Sequence, residues 1–213
     1  MGEKDSFTWS GGIVSAIWHY PVRGETYLVL GHGAGGNLST PALAQFADAL
    51  AARGVGAVRF NFPYAEAKRK VPDPQPRLEA CYRAVAGQVA ERAARLILGG
   101  RSMGGRIASH IVADGFPAGG LVFLGYPLHP PGKPERIRDA HLAKITVPML
   151  FLQGSRDAFA QPDLLARTIR KFRTATLHIV EGGDHSLTVR GRTSEDVVGE
   201  LVDATVVWIK DLA

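Results

Sequence analysis

Cysteine is almost missing from this sequence of 213 residues, which contains only Cys81. A single thiol cannot form an internal disulfide, so no covalent framework holds the fold together. Cys81 lies beside Leu78, Tyr82 and Val85 at helical spacing. We therefore expect this thiol to pack in the core as a small apolar side chain.

Long apolar runs are also missing. The sequence has no stretch of about 18 apolar residues, the length that a membrane-spanning helix needs. The first residues, MGEKDSFTW, lack the basic and apolar parts of a signal peptide. We expect a cytoplasmic protein without membrane attachment. A chain of this size can bury roughly 70% of its extended surface in one core, and we expect residues 1–213 to form one domain.

The excess of positive charge is small and dispersed. The formal net charge is +5, with 20 acidic residues mixed among 25 lysines and arginines. The one dense basic cluster, residues 68–70, adjoins the proline-rich stretch VPDPQP and has no interleaved aromatic residues on which bases could stack. A nucleic-acid site is therefore disfavoured, and a solvated surface explains the cluster.

Apolar strands alternate with amphipathic helices along most of the chain. Strands are predicted over Ile13–His19, Thr26–Leu30, Gly56–Phe62, Leu96–Leu98, Leu121–Leu124, Pro148–Gln153 and Ala175–Val180. Helices are predicted to begin near Pro41, Leu78, Met103, Pro162 and Ser194, the last preceded by a capping box of Thr193 and Asp196 and extending to Leu212. This alternation predicts an α/β fold with a mostly parallel sheet and helices on both faces.

The stretch LILGGRSMGGRIAS, residues 96–109, combines a buried strand, a tight turn and a helix start. Its G-x-S-x-G pattern is typical of a nucleophile elbow, in which flanking glycines allow a strained serine to project above the sheet. Ser102 is therefore the candidate nucleophile. The amide of Met103 begins the new helix and is a candidate donor to an oxyanion.

Two polar residues follow later strands, at the sheet edge where reactive groups collect in such folds. Asp157 comes after MLFLQ, and His185 comes after LHIV. A serine hydroxyl needs an imidazole to accept its proton and a carboxylate to orient that imidazole. We predict that His185 is the base and Asp157 the acid. Asp184 is the competing carboxylate, although its place beside His185 favours a role in shaping the loop.

The glycine-rich loop at residues 31–36, GHGAGG, follows the second predicted strand. It predicts a second oxyanion donor at the Ala34 amide and close approach of substrate at Gly33. The same letters satisfy the G-x-G-x-x-G dinucleotide fingerprint, but the following strand lacks the acidic residue that would hold a ribose. No phosphate-binding Lys-Ser/Thr pair or metal-ligand spacing is present. We therefore expect no cofactor and no metal.

These motifs resemble those of the α/β-hydrolase superfamily: HGAGG, GRSMGG, GSRD and GGDHS in this order, across about residues 13 to 212. The sequence is most similar to the small, lidless dienelactone-hydrolase-like branch and to the testis-expressed-like group of predicted hydrolases. The resemblance implies hydrolysis of an acyl substrate by a serine triad through an acyl-enzyme. Some members of the second group are non-enzymatic interaction modules, so a protein-binding scaffold is the alternative.

Two further features bear on the substrate. Arg101 and Arg106 flank Ser102 and could attract an acidic ligand, or Arg101 could pair with a nearby carboxylate. Only about twenty residues connect the strands that contain Leu121 and Pro148, enough for a short helix near residues 136–143 but not for a lid. We therefore expect a shallow, open site and a preference for short acyl chains.

Overall fold

The computed structural model describes residues 2–212, so Met1 and Ala213, the two ends of the predicted domain, lie outside the described part. The strands are β1 (Glu3–Trp9), β2 (Gly12–His19), β3 (Thr26–Gly31), β4 (Gly56–Phe60), β5 (Arg95–Arg101), β6 (Gly120–Leu124), β7 (Met149–Gly154) and β8 (Ala175–Val180). The α-helices are α1 (Pro41–Ala52), α2 (Pro63–Glu66), α3 (Gln75–Ala90), α4 (Met103–Ala113), α5 (Pro162–Ile169) and α6 (Ser194–Lys210), with a 3₁₀ helix at Ala140–Lys144.

All eight strands form one sheet in the order β1-β2-β4-β3-β5-β6-β7-β8. The six strands from β4 to β8 in this order pair in parallel. Only β1 and β2 run antiparallel to their neighbours. The mostly parallel sheet with helices on both faces confirms the predicted fold class. In residues 2–212, no helix is both long and apolar enough to cross a bilayer.

The sheet separates two apolar cores. On one face, α1 and α6 pack together and against the sheet through side chains that include Phe46 and Leu201. On the other face, α3 and α4 pack over β3 and β5. Cys81 of α3 is fully buried in this second core, as predicted, and burial raises the pKa of its thiol to about 12. At neutral pH it is therefore an un-ionised packing group.

The structure adds one strand that the sequence did not predict. β1 forms a hairpin with β2 and becomes the edge of the sheet. Its first four residues are exposed, and only Phe7 and Trp9 turn inward, against α3. Two inward apolar side chains after a run of charged and polar residues make a weak alternating pattern, which is why the strand was missed.

Several predicted boundaries were wrong by a few residues. The strand predicted over Gly56–Phe62 ends at Phe60, and the following residues contain the short helix α2, which the sequence did not predict. Phe62 precedes a proline, which favours an extended backbone, and Pro63 then suits the first helical turn. The 3₁₀ helix lies at Ala140–Lys144 rather than at 136–143. The helix predicted to begin near Leu78 begins three residues earlier, at Gln75, and the last helix ends at Lys210 rather than at Leu212. Helix ends commonly differ by one or two residues because they fray.

Candidate active site

Ser102 lies at the junction of β5 and α4 with φ of 50° and ψ of −114°, a backbone conformation rare outside glycine. A Cβ at Gly100 or Gly104 would collide with the backbone of Gly31, so glycines allow β3, β5 and α4 to cross closely. The Ser102 amide donates to the carbonyl of Leu124 over 3.0 Å. These contacts maintain a strain of about 1–3 kcal/mol and hold the hydroxyl above the sheet edge.

His185 lies between the serine and an aspartate. Its Nε2 is 2.8 Å from Ser102 Oγ, and its Nδ1 is 2.8 Å from Asp157 Oδ2. When the serine hydroxyl donates to Nε2, the ring proton is on Nδ1 and donates to the carboxylate. The structure thus brings together three residues that the sequence separates by up to 83 positions.

Three donors surround the Asp157 carboxylate. Besides His185, the side-chain amide of Gln153 donates to Oδ2, and the amide of Phe159 donates to Oδ1 over 2.7 Å. The oxygen of the Gln153 side chain accepts the Tyr126 amide over 2.8 Å, which fixes the orientation of this buried glutamine. The sequence predicted no role for Gln153. The available signal was one polar residue at the end of the apolar strand MLFLQ.

The competing carboxylate, Asp184, has different contacts. Its Oδ1 accepts the amides of Ser186 and Thr188 at 2.8 and 2.9 Å. The ring of His185 instead stacks on Phe159, with the ring centres 4.1 Å apart. Asp184 therefore shapes the loop after β8, as its position in the sequence favoured, and does not touch the imidazole.

The loop after β3 runs beside the serine. A Cβ built on Gly33 would lie 3.6 Å from the Cβ of Ser102. Met103 is the first residue of α4, where a backbone amide has no intrahelical acceptor. Within residues 2–212, neither this amide nor that of Ala34 donates a hydrogen bond to the backbone or to a side chain. Both predicted oxyanion donors are thus uncommitted amides.

His32 fixes the first part of this loop. Its Nε2 accepts the Phe62 amide over 3.1 Å, so its Nδ1 carries the proton and donates to the Gly33 carbonyl over 2.9 Å. The Tyr64 hydroxyl donates to the same carbonyl. Burial lowers the pKa of His32 to about 4, which keeps the ring neutral. No separate function was predicted for this histidine from the sequence.

A second group of side chains holds the later part of the loop at Leu38. Its amide donates to Asn61 Oδ1 over 2.8 Å, and its carbonyl accepts from the guanidinium of Arg59. The Nε of Arg59 donates to His19, whose other ring nitrogen is 2.9 Å from Asp48. In the sequence, Arg59 and Asn61 lie on the predicted strand whose lack of an acidic residue disfavours a dinucleotide site. In the structure they position the glycine-rich loop.

The two arginines that flank Ser102 differ in their surroundings. The guanidinium of Arg101 donates to Ser186 Oγ over 2.7 Å, its Nε is buried without a partner, and no carboxylate of residues 2–212 pairs with it. Arg106 also has a buried Nε without a partner and no carboxylate pair among these residues, but its guanidinium extends toward Gln75, at 3.4 Å. Arg101 instead reaches Ser186, next to His185, and is therefore a cation without a counter-ion on the side of the candidate base.

A mostly parallel α/β sheet with a strand–serine–helix elbow, followed along the chain by an aspartate and a histidine at later strand ends, defines the α/β-hydrolase class. A family model described as the alpha/beta hydrolase domain matches residues 24–210. The chain belongs to this family. This membership supports hydrolase chemistry.

Solved structures with the same fold have low sequence identity to this chain. A serine hydrolase without a lid from Xanthomonas campestris is 21% identical, with a TM-score of 0.78 over 97% of this chain and 94% of that one. A dienelactone hydrolase from Anabaena variabilis is 14% identical, with a TM-score of 0.77 over 99% and 97%. Est1E from Butyrivibrio proteoclasticus is 15% identical, with a TM-score of 0.76 over 99% and 100%. The architecture is therefore shared where little of the sequence is.

Proposed function

We propose that this protein is a serine hydrolase that cleaves a small ester or thioester through Ser102, His185 and Asp157. The observation that carries the proposal is the continuous hydrogen-bonded chain from the serine hydroxyl through the imidazole to the buried carboxylate. Such a chain activates a hydroxyl that is otherwise a weak nucleophile. Membership of the hydrolase family supports the same chemistry.

In the first half of the proposed reaction, Ser102 Oγ attacks the acyl carbon and its proton moves to Nε2 of His185. Asp157 stabilises the imidazolium and holds the ring orientation. The carbonyl oxygen becomes an oxyanion, which the amides of Ala34 and Met103 are placed to stabilise. The tetrahedral intermediate then expels the alcohol or thiol, which takes the proton from Nε2, and an acyl-enzyme remains.

In the second half, His185 removes a proton from a water molecule that attacks the acyl-enzyme. A second tetrahedral intermediate forms in the same oxyanion site and releases the acid, while the proton returns to Ser102. The ring is stacked on Phe159 and hydrogen-bonded to Asp157, so it keeps one orientation in both halves.

Two further residues are proposed to contact the small-molecule substrate. The backbone of Gly33 lies against Ser102, where a larger residue would crowd a bound ester. Arg101 offers an unneutralised guanidinium at the same edge, suited to attract a substrate with negative charge.

The proposal is tested by treating the purified protein with a fluorophosphonate probe and locating the label by mass spectrometry. We expect the label on Ser102, and we expect Ser102→Ala to lose both labelling and hydrolysis of p-nitrophenyl acetate down to the background rate. Ser109→Ala is the matched control, since Ser109 also lies 2.7 Å from a histidine, His141, but is fully buried. It should keep both activities.

If the folded Ser102→Ala protein hydrolyses the ester as fast as the unmodified protein, Ser102 is not the nucleophile. If the unmodified protein is neither labelled nor active on esters and thioesters, the chain is a non-catalytic protein-interaction module with this fold. Circular dichroism of each variant separates loss of activity from loss of folding.

A further inference from the structure

An apolar cavity of about 120 Å³ lies between the N-terminal parts of α1 and α6. Its walls are mainly aliphatic and aromatic side chains from the two helices and from the loop after β8: Leu43, Phe46, Leu187, Val197, Val198 and Leu201. Both helices begin at the sheet edge that holds Ser102 and run away from it. The cavity therefore extends from that edge into the space between the two helices. Its mainly apolar walls are typical of a ligand pocket.

The mouth of the cavity adjoins the catalytic groups. Three of its lining residues are next to them: Arg101 precedes the serine, Ser186 follows the histidine, and Leu124 accepts the serine amide. The hydrogen bond from Arg101 to Ser186 crosses this part of the wall. An acyl group bound at Ser102 therefore has an apolar space within reach.

The loop that contains His185 also forms part of the cavity wall. Leu187 has φ of 61°, a left-handed conformation that is strained for leucine, and its side chain is buried in the cavity wall. Asp184 maintains this conformation because its Oδ1 holds the amides on both sides of Leu187. The same loop thus fixes the base and closes the cavity.

We propose that this cavity binds the acyl group of the substrate and limits it to about five carbons. This inference rests on the proposed hydrolase function and adds the substrate class, esters of short aliphatic acids. An apolar cavity of about 150 Å³ accommodates benzene, so the smaller volume here fits four or five carbons. From Ser194 to Leu201 the helix rises by about 10 Å, which exceeds the length of such a chain, so the volume of the cavity sets the limit.

The test is a series of p-nitrophenyl esters with acyl groups from two to ten carbons, compared by kcat/KM. Each methylene that enters the cavity should raise kcat/KM by about fourfold, the ratio that corresponds to the burial of one methylene. We expect a rise to four or five carbons and a fall beyond them. A value that is flat from two to ten carbons, or that rises to ten, overturns the proposal.

Two variants change the cavity in opposite directions. Leu201→Ala enlarges it and should move the optimum to a longer acyl chain, whereas Ala42→Leu, at an exposed part of its wall, reduces its volume and should move the optimum to a shorter one. Ala52→Leu is the matched control, since Ala52 is exposed on the same helix and does not line the cavity. If Leu201→Ala fails to fold, the proposal is still tested by comparing the acyl-chain optimum of Ala42→Leu with that of Ala52→Leu.

The labelling of Ser102 distinguishes failure of the cavity assignment from failure of the proposed hydrolase function. If Ser102 is labelled and esters are cleaved, but neither variant shifts the optimum relative to Ala52→Leu, the cavity assignment is overturned and the hydrolase remains. If no ester or thioester is cleaved and Ser102 is not labelled, the proposed function is overturned, and this assignment with it.

Discussion

At the scale of single residues, the two aspartates near His185 show how contacts distinguish function from loop shape. Asp157 is buried and touches the ring nitrogen, whereas Asp184 is exposed and binds two backbone amides. An asparagine at Asp184 would still present an oxygen to those amides. An asparagine at Asp157 would remove the charge that stabilises the imidazolium and could favour the wrong ring tautomer.

We therefore predict that Asp157→Asn lowers kcat for p-nitrophenyl acetate by about 10⁴, as in serine proteases, while Asp184→Asn has a small effect. Both variants should keep the circular dichroism spectrum of the unmodified protein. The reverse order of the two effects would identify Asp184 as the acid and show that the hydrogen bond at Asp157 is structural.

At the scale of elements, the segment between β6 and β7 decides how open the site is. Within the described residues it contains only the 3₁₀ helix, which packs down against α4. The ring of His141 stacks on His110 of α4, with centres 3.7 Å apart, and Leu142 is buried beside them. The segment is thus anchored to the body of the fold and does not form a cap over Ser102.

An open site should show no interfacial activation. We predict that the rate of tributyrin hydrolysis follows a simple saturation curve as the substrate concentration passes its solubility limit. The measurement is an initial-rate titration by pH-stat, with a lid-containing lipase as the positive control. A sharp increase at the limit would indicate that another segment covers the serine, and residues 63–74 would be the first to examine.

At the scale of the whole molecule, burial keeps several histidines neutral. It lowers the pKa of His32 to about 4 and, together with the nearby His110 and Arg106, the pKa of His141 to about 3. Burial also lowers the pKa of His19 and of His110. In the unfolded chain a histidine has a pKa of about 6.5, so each of these groups resists protonation only when folded.

The sign of the effect on stability follows from proton binding. Between about pH 6.5 and 4, the unfolded state binds more protons than the folded state, so the free energy of unfolding falls as the pH falls. By pH 5.5, His32 and His141 should each lower the free energy of unfolding by about 1 kcal/mol. We predict that the urea concentration at the midpoint of unfolding falls as the pH is lowered from 7.5 to 5.

Replacing one of these histidines provides the check. His141→Gln keeps a neutral polar side chain and should make the dependence of the midpoint on pH shallower. The carboxyl groups with lowered pKa, such as Glu66 and Glu200, lose their contribution to stability as the pH falls below their unfolded pKa of about 4.3, so most of that loss lies below pH 5. A midpoint that stays constant from pH 7.5 to 5 would contradict the assignment of these histidines as neutral only in the folded state.

The sequence by itself determined the α/β class, the elbow at Ser102, the buried Cys81 and the capping box that starts α6. The Thr193 side chain accepts the Asp196 amide, and the Asp196 carboxylate accepts the Thr193 amide, as predicted. Each of these features depends on residues a few positions apart, so the periodicity, turn chemistry and capping pattern already contain it.

Only the tertiary structure decided which side chains support the candidate site. Gln153 orients Asp157, Arg59 and Asn61 hold the glycine-rich loop, and Arg101 reaches Ser186 across 85 positions of sequence. The edge strand β1 and the apolar cavity were likewise decided only by the tertiary structure. These features arise where distant segments meet, and no local pattern encodes them, because the partner of a side chain is fixed by the packing of the whole sheet and its helices.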